Sequence, residues 1–321
     1  MNIEEGSIVL QEIMQLASWR LRDYHDSFLQ LQFSDDIDDL SVRLVHRLRV
    51  ICRRIRAGLK SFQSVIPEED FKLMNNGFRD FARWFAEIRD IDVLLEELVS
   101  LTGQTGPFQQ DDAVLKAIEK IRAKRRFLVL RAVPKVALFF DSEAYKLFSG
   151  FIQENQMVQP EKLLNSAYVR EFIVVSIRTK IFDFQSFEEI LNTNHFNGEF
   201  HQMRIALKNL RYTIDLFSCF DEQSFSIIIA LFQSLQDQMG AIHDAVVWPK
   251  MIDPFLAESE ESGDSTSQGV IISGERHALK PYWDQRATRQ YQEFCQSYND
   301  LKSSGFWDEF DRNLTSLRNL K

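Results

Sequence analysis

Val45-His46-Arg47-Leu48-Arg49-Val50-Ile51-Cys52-Arg53-Arg54-Ile55-Arg56-Ala57-Gly58-Leu59-Lys60 is the stretch from which the fold is read. Its echo is Phe200-His201-Gln202-Met203-Arg204-Ile205-Ala206-Leu207-Lys208-Asn209-Leu210-Arg211-Tyr212. Aligned on histidine, His46 meets His201, Arg49 meets Arg204, Arg53 meets Lys208 and Arg56 meets Arg211, each pair 155 residues apart. Steps of three and four keep these cations on one face of an α-helix. At 100° per residue, His46, Arg49, Arg53, Arg56 and Lys60 share an arc of about 80°. Leu48, Ile51, Cys52, Ile55 and Leu59 fall on the side expected to face a core. From His46 to Lys60 the row spans roughly 21 Å of helix axis, room for several consecutive phosphates.

A row of like charges opposes its own folding by about 0.2–0.5 kcal/mol per neighbouring pair. No Asp or Glu lies between Ser41 and Pro67, or between Phe200 and Ile214, to relieve it. A solvated helix face is the ordinary reading of a charge run. Three features favour anion binding instead: the missing acids, the recurrence in register, and the position of the row beside the apolar face. Arginine suits phosphate because its planar fork chelates two oxygens and keeps its charge. Beside so many cations His46 and His201 should stay neutral until a polyanion arrives. Each histidine has two readings, ligand donor or hydrogen-bonding group of the core.

The duplication extends past the row. Arg89-Asp90-Ile91-Asp92-Val93 follows the first basic helix and Ile242-His243-Asp244-Ala245-Val246 the second, with Asp90 and Asp244 separated by 154 residues. Helical periodicity runs through nearly the whole chain and no strand pattern is convincing. Helices are expected at 7–32, 39–64, 68–100, 111–133 and 142–157, then at 160–180, 184–192, 198–219, 222–257, 275–302 and 306–319. The expected architecture is all-α, with two pseudo-symmetric four-helix bundles, 1–157 and 158–321, packed around a central basic pore. The seam falls near Asn155 to Leu163. The acidic run Asp35-Asp36-Ile37-Asp38-Asp39 suits the positive end of the basic helix that follows.

The balance of charge narrows the partners. The chain has 321 residues and a net charge of −9, whereas a general nucleic-acid binder is more often basic overall. The positive charge is local, so only a ligand reaching the rows is attracted. The rows have little aromatic interleaving, so the stacking platforms of single-strand binders are missing. No apolar run is long enough to span a bilayer, and the acidic start Met1-Asn2-Ile3-Glu4-Glu5 is unlike a signal peptide. Cys52, Cys219 and Cys295 lie far apart in helical patterns and read as reduced thiols of a cytoplasmic protein. No metal-ligand spacing, P-loop or cofactor motif is present. His243-Asp244 is an adjacent His-Asp pair in a helix with no further ligand nearby, so no metal site and no catalytic residue are expected.

The pattern His-x-x-Arg-Val-x-x-Arg-Arg-x-Arg at 46–56, with Arg-Asp-x-Asp-Val at 89–93, resembles the first half of the CHAD family (conserved histidine α-helical domain). His-x-x-Arg-Ile-x-x-Lys-x-x-Arg-Tyr at 201–212, with Leu235-Gln236-Asp237-Gln238-Met239-Gly240, resembles its second half. The resemblance implies two helical bundles around a basic pore that binds inorganic polyphosphate, with storage-granule association in some members. Carried over by position, the polyphosphate-binding set is His46, Arg49, Arg53, Arg56, His201, Arg204, Lys208 and Arg211, with Lys60 continuing the first row. Arg54, Arg122, Arg126 and Tyr212 are secondary candidates. Asp215 stands opposite Lys60 and Asn209 opposite Arg54, so the second wall is expected to be weaker. Family members are often fused to a triphosphatase-like tunnel domain, and its Glu-x-Glu-x-Lys signature does not occur in these residues. The rival functions are a metal-dependent phosphohydrolase and a storage-granule scaffold, the latter drawing on the 27 phenylalanines.

Overall fold

A computed structural model describes residues 3–31, 41–154, 160–192, 198–257 and 278–319. The acidic run 35–39 and much of the seam lie outside the described residues. Within them the chain forms twelve α-helices and no strand. No helix is long and apolar enough to cross a membrane.

The elements are α1 (Ile3–Leu29), α2 (Val42–Ser61), α3 (Glu68–Trp84), α4 (Ala86–Thr102), α5 (Asp112–Phe140) and α6 (Glu143–Glu154). After them come α7 (Pro160–Asn165), α8 (Ala167–Gln185), α9 (Gly198–Leu216), α10 (Glu222–Ala257), α11 (Leu279–Ser303) and α12 (Phe306–Asn319). α2 opens on Ser41, whose hydroxyl accepts from the Leu44 amide, and α5 on Asp111, whose carboxylate accepts from Ala113 and Val114. Such caps satisfy the first free amides of a helix. Gly305, at φ 76°, turns the chain from α11 into α12 in the left-handed region that glycine enters without strain.

Several expected boundaries differ from those observed, and the helix expected at 184–192 is instead the end of α8 followed by a short 3-10 helix, Glu188–Asn192. The helix expected at 68–100 breaks at Phe85, whose ring is fully buried against Phe81. α10, by contrast, runs unbroken from Glu222 to Ala257. The helix expected to stop at 133 continues through Pro134, because Ala132, Val136 and Phe139 keep the buried period. Pro134 lies on the exposed side, where water can take the carbonyl it frees. The segment expected at 160–180 is two helices, restarted by a Ser166 cap.

The buried residues group into two cores, and each draws on both halves of the chain. The larger joins α1, α2, α3 and α6 to α8, α9, α12 and the first part of α10. The smaller joins α4 and the start of α5 to the end of α10 and the start of α11. α5, α10 and α11 each place buried residues in both cores and so tie them together. α2 packs against α1 so closely at Gly58 that a Cβ there would meet Leu21. It also packs on α9, which brings the two basic helices together.

Candidate functional site

The side of α2 expected to face the core does so: Leu48, Ile51, Cys52, Ile55 and Leu59 are buried. That anchors the cationic row toward α9, whose own buried side holds Met203, Leu207 and Leu210. Between the two helices lie two connected chambers. The wider, of about 690 Å3, is bounded by α2, α4, α9, α10 and the side chain of Arg286 on α11. The narrower, of about 330 Å3, lies between α2 and α9 alone. Arg49, Arg53, Arg204 and Lys208 line both and form the neck between them.

The chambers differ in charge. Six Arg or Lys side chains line the wider one, together with five carboxylates: Asp90, Glu96, Glu97, Asp237 and Asp244. Six line the narrower one, where Arg56 and Lys60 join the neck residues, and no carboxylate accompanies them. The pKa directions follow. Burial, reinforced by Arg204 and Arg53, pushes the Lys208 ammonium down to about 7. Burial, then Arg204, His201 and Lys208, push His243 down to about 4. His46 is lowered by burial and by Arg89, Arg53 and Arg49. Burial raises Asp90 and Asp244, although Arg49 and Arg204 respectively oppose it. The buried Nε of Arg204 has no hydrogen-bond partner among the described residues. These are the marks of a site that holds excess positive charge out of water and would be relieved by an anion.

The expected residues divide into those brought together and those not. His46, Arg49, Arg53, Arg56, Lys60, Arg204, Lys208 and Tyr212 line one chamber or both. His201 lines neither and lies against His243, with 5.4 Å between ring centroids. Arg211 is buried: it donates to Gln236 Oε1 at 3.0 Å and stacks over Tyr212, so it braces the wall. Arg54 turns away into an ion pair with Asp215 at 3.2 Å, beside Tyr24. The same contact removes Asp215 from the cavity, so the expected acid opposite Lys60 does not weaken the second wall there. Arg122 and Arg126 stand exposed on α5 and do not line the chambers. Asp92 pairs with Arg125 inside the bundle.

Arg89 and His243 line the wider chamber and were not among the expected ligands. The repeat could have found them. They precede Asp90 and Asp244, so an offset of 154 makes Arg89 and His243 equivalent positions. No group of three or more metal-ligating side chains occurs among the described residues.

A family model of the CHAD domain matches residues 30–253. The chain belongs to the CHAD family. Binding of inorganic polyphosphate is a known property of that family. Two solved structures share the fold of this CHAD protein. One is the CHAD domain from the plant Ricinus communis, 14% identical with a TM-score of 0.54, the match covering 97% of this chain and 92% of that one. The other is PptA from Streptomyces chartreusis, 14% identical with a TM-score of 0.57, covering 89% and 99%. No curated protein matches the sequence.

Proposed function

We propose that this CHAD protein captures inorganic polyphosphate in the two joined chambers between α2 and α9, without catalysis. The observation that carries the reading is the neck, where Arg49 and Arg53 of one row face Arg204 and Lys208 of the other across a single cavity. A linear polyanion satisfies all four at once. Arginine forks take the phosphate oxygens, and the neck residues regain in hydrogen bonds what burial cost them. The narrower chamber, free of carboxylates, holds the chain most firmly, and the wider one admits it. Each neutralised phosphate releases counterions, so affinity falls steeply with salt. Nucleic acid is excluded because a duplex is too wide for the neck and the chambers offer no row of aromatic rings for stacked bases. The protein works in the cytoplasm, at granules where the polymer is stored.

The rival activity, metal-assisted hydrolysis, would need divalent ions beside His201, His243 and Asp244, where Arg204 repels them. Phosphate release from the polymer with added Mg2+ or Mn2+ tests it, and none is expected. For binding, Arg49→Ala combined with Arg204→Ala should greatly weaken polyphosphate binding at fixed ionic strength while helical circular dichroism is unchanged. Equal affinity of the double variant and the parent would refute the neck assignment.

A further inference from the structure

The outer face of α5 carries a second feature, distant in kind from the chambers. Between residues 123 and 138, Ala123, Phe127, Leu130, Pro134, Ala137 and Leu138 are all exposed. Phe127, Leu130 and Leu138 expose 51%, 48% and 66% of their surface. At 100° per residue these six fill one arc of about 100°, and no other residue of the segment falls inside it. Arg126 borders the arc on one side, with Arg122 beyond it. Arg131 and Lys135 border the other. Arg122, Arg126 and Arg131 have no ion-pair partner among the described residues, and Arg131 lies over the Phe127 ring at 5.5 Å. Single exposed apolar residues are ordinary on a protein surface. Six in one uninterrupted strip roughly 22 Å long, with cations on both edges, are not.

We propose that this face of α5 docks onto a bilayer surface rich in anionic lipid. The arrangement is that of a helix lying in a membrane interface: apolar side chains enter the acyl boundary while arginines on either flank extend to the headgroup phosphates. Charge complementarity selects the occupant. The chain as a whole carries −9, so an anionic surface repels it everywhere except at a local basic strip such as this one. The strip is the exposed face of one helix and lines neither chamber, which suits a broad lipid surface better than an inserted peptide. Arg122 and Arg126 thereby acquire a role outside the polyphosphate site. The inference is independent of the polyphosphate reading, since no residue is shared.

Flotation of the full chain with vesicles tests it, using phosphatidylcholine alone and phosphatidylcholine mixed with phosphatidylglycerol. Binding is expected to the mixed vesicles, to fall as salt rises, and to be negligible on phosphatidylcholine. Phe127→Ser with Leu138→Ser should weaken it roughly tenfold or more while leaving polyphosphate affinity and helical content unchanged. Arg126→Ser with Arg131→Ser should weaken it about thirtyfold. Arg49→Ala with Arg204→Ala should float as the parent does. Failure of the parent to float with the mixed vesicles overturns the proposal, as does equal binding to both vesicle types. Full vesicle binding by both strip variants does the same. An acidic protein that covers α5 in a chain inert toward vesicles would also overturn it.

Discussion

The two chambers share a neck yet solve different problems. In the narrow chamber, cations from α2 and α9 face one another with no carboxylate between them. In the wide chamber, a nearly equal number of carboxylates is interleaved with the cations. Some are already engaged there: Arg286 holds Glu97 and lies over Trp248. A wall of paired charges is stable without a ligand and attracts a polyanion only moderately. A wall of unpaired cations is costly without one. The chain concentrates that cost in a short passage supported by large cores, which keeps the protein folded when the site is empty.

Mutations can break or sharpen this contrast. The largest effect should come from the neck, which serves both chambers: Arg49→Ala with Arg204→Ala is expected to cost at least about 3 kcal/mol of polyphosphate affinity. Next, Arg56→Ala in the narrow chamber should cost about 1.5–3 kcal/mol, and Arg89→Ala in the wide chamber less than about 1 kcal/mol, by calorimetry at one ionic strength. Equal losses would erase the distinction. Removing carboxylates should act in the opposite direction. Asp90→Asn or Asp244→Asn is expected to tighten binding by about 0.5–1 kcal/mol and to do so less as salt rises.

The smallest effect is in protons. Lys208 is held at about 7 in the free protein, and a neighbouring polyanion raises it. Binding near neutral pH should therefore take up protons, and affinity should rise as pH falls toward 7. Calorimetry in two buffers of different ionisation heat reads the uptake, and Lys208→Met should reduce it. Without ligand the sign for stability is the reverse. From about 7 up to the ordinary lysine value of 10.5, the unfolded chain binds a proton at Lys208 that the folded chain lacks. This group therefore makes the empty protein more stable as pH rises through that window, and its full penalty is present below it.

The repeated row was legible because both its periods are local. Three-and-four spacing sets the helix face, and a constant offset of 155 pairs the two helices. The all-α class followed from the same periodicity. What sequence could not reveal was which neighbours cover a face. Arg56 and Arg211 occupy equivalent positions, yet Arg56 opens onto the narrow chamber while Gln236 and Tyr212 enclose Arg211. Arg54, a secondary candidate by sequence, is held by Asp215, a partner that its own helix does not specify. Glu96, Glu97 and Asp237 reach the wide chamber through the packing of α4 and α10, which no spacing within one helix specifies. The break at Phe85 and the continuation through Pro134 have the same origin: burial of particular side chains outweighed local propensity.

The most direct test is a titration with polyphosphate chains of graded length at two salt concentrations. The slope of log affinity against log salt counts the phosphates neutralised. If the chambers hold the polymer, that slope should steepen with chain length and then level off once the passage is filled, with Arg49→Ala/Arg204→Ala flattening it at every length. A slope that keeps growing with length, or one the double variant leaves intact, would mean that the polymer lies along the outside of the molecule.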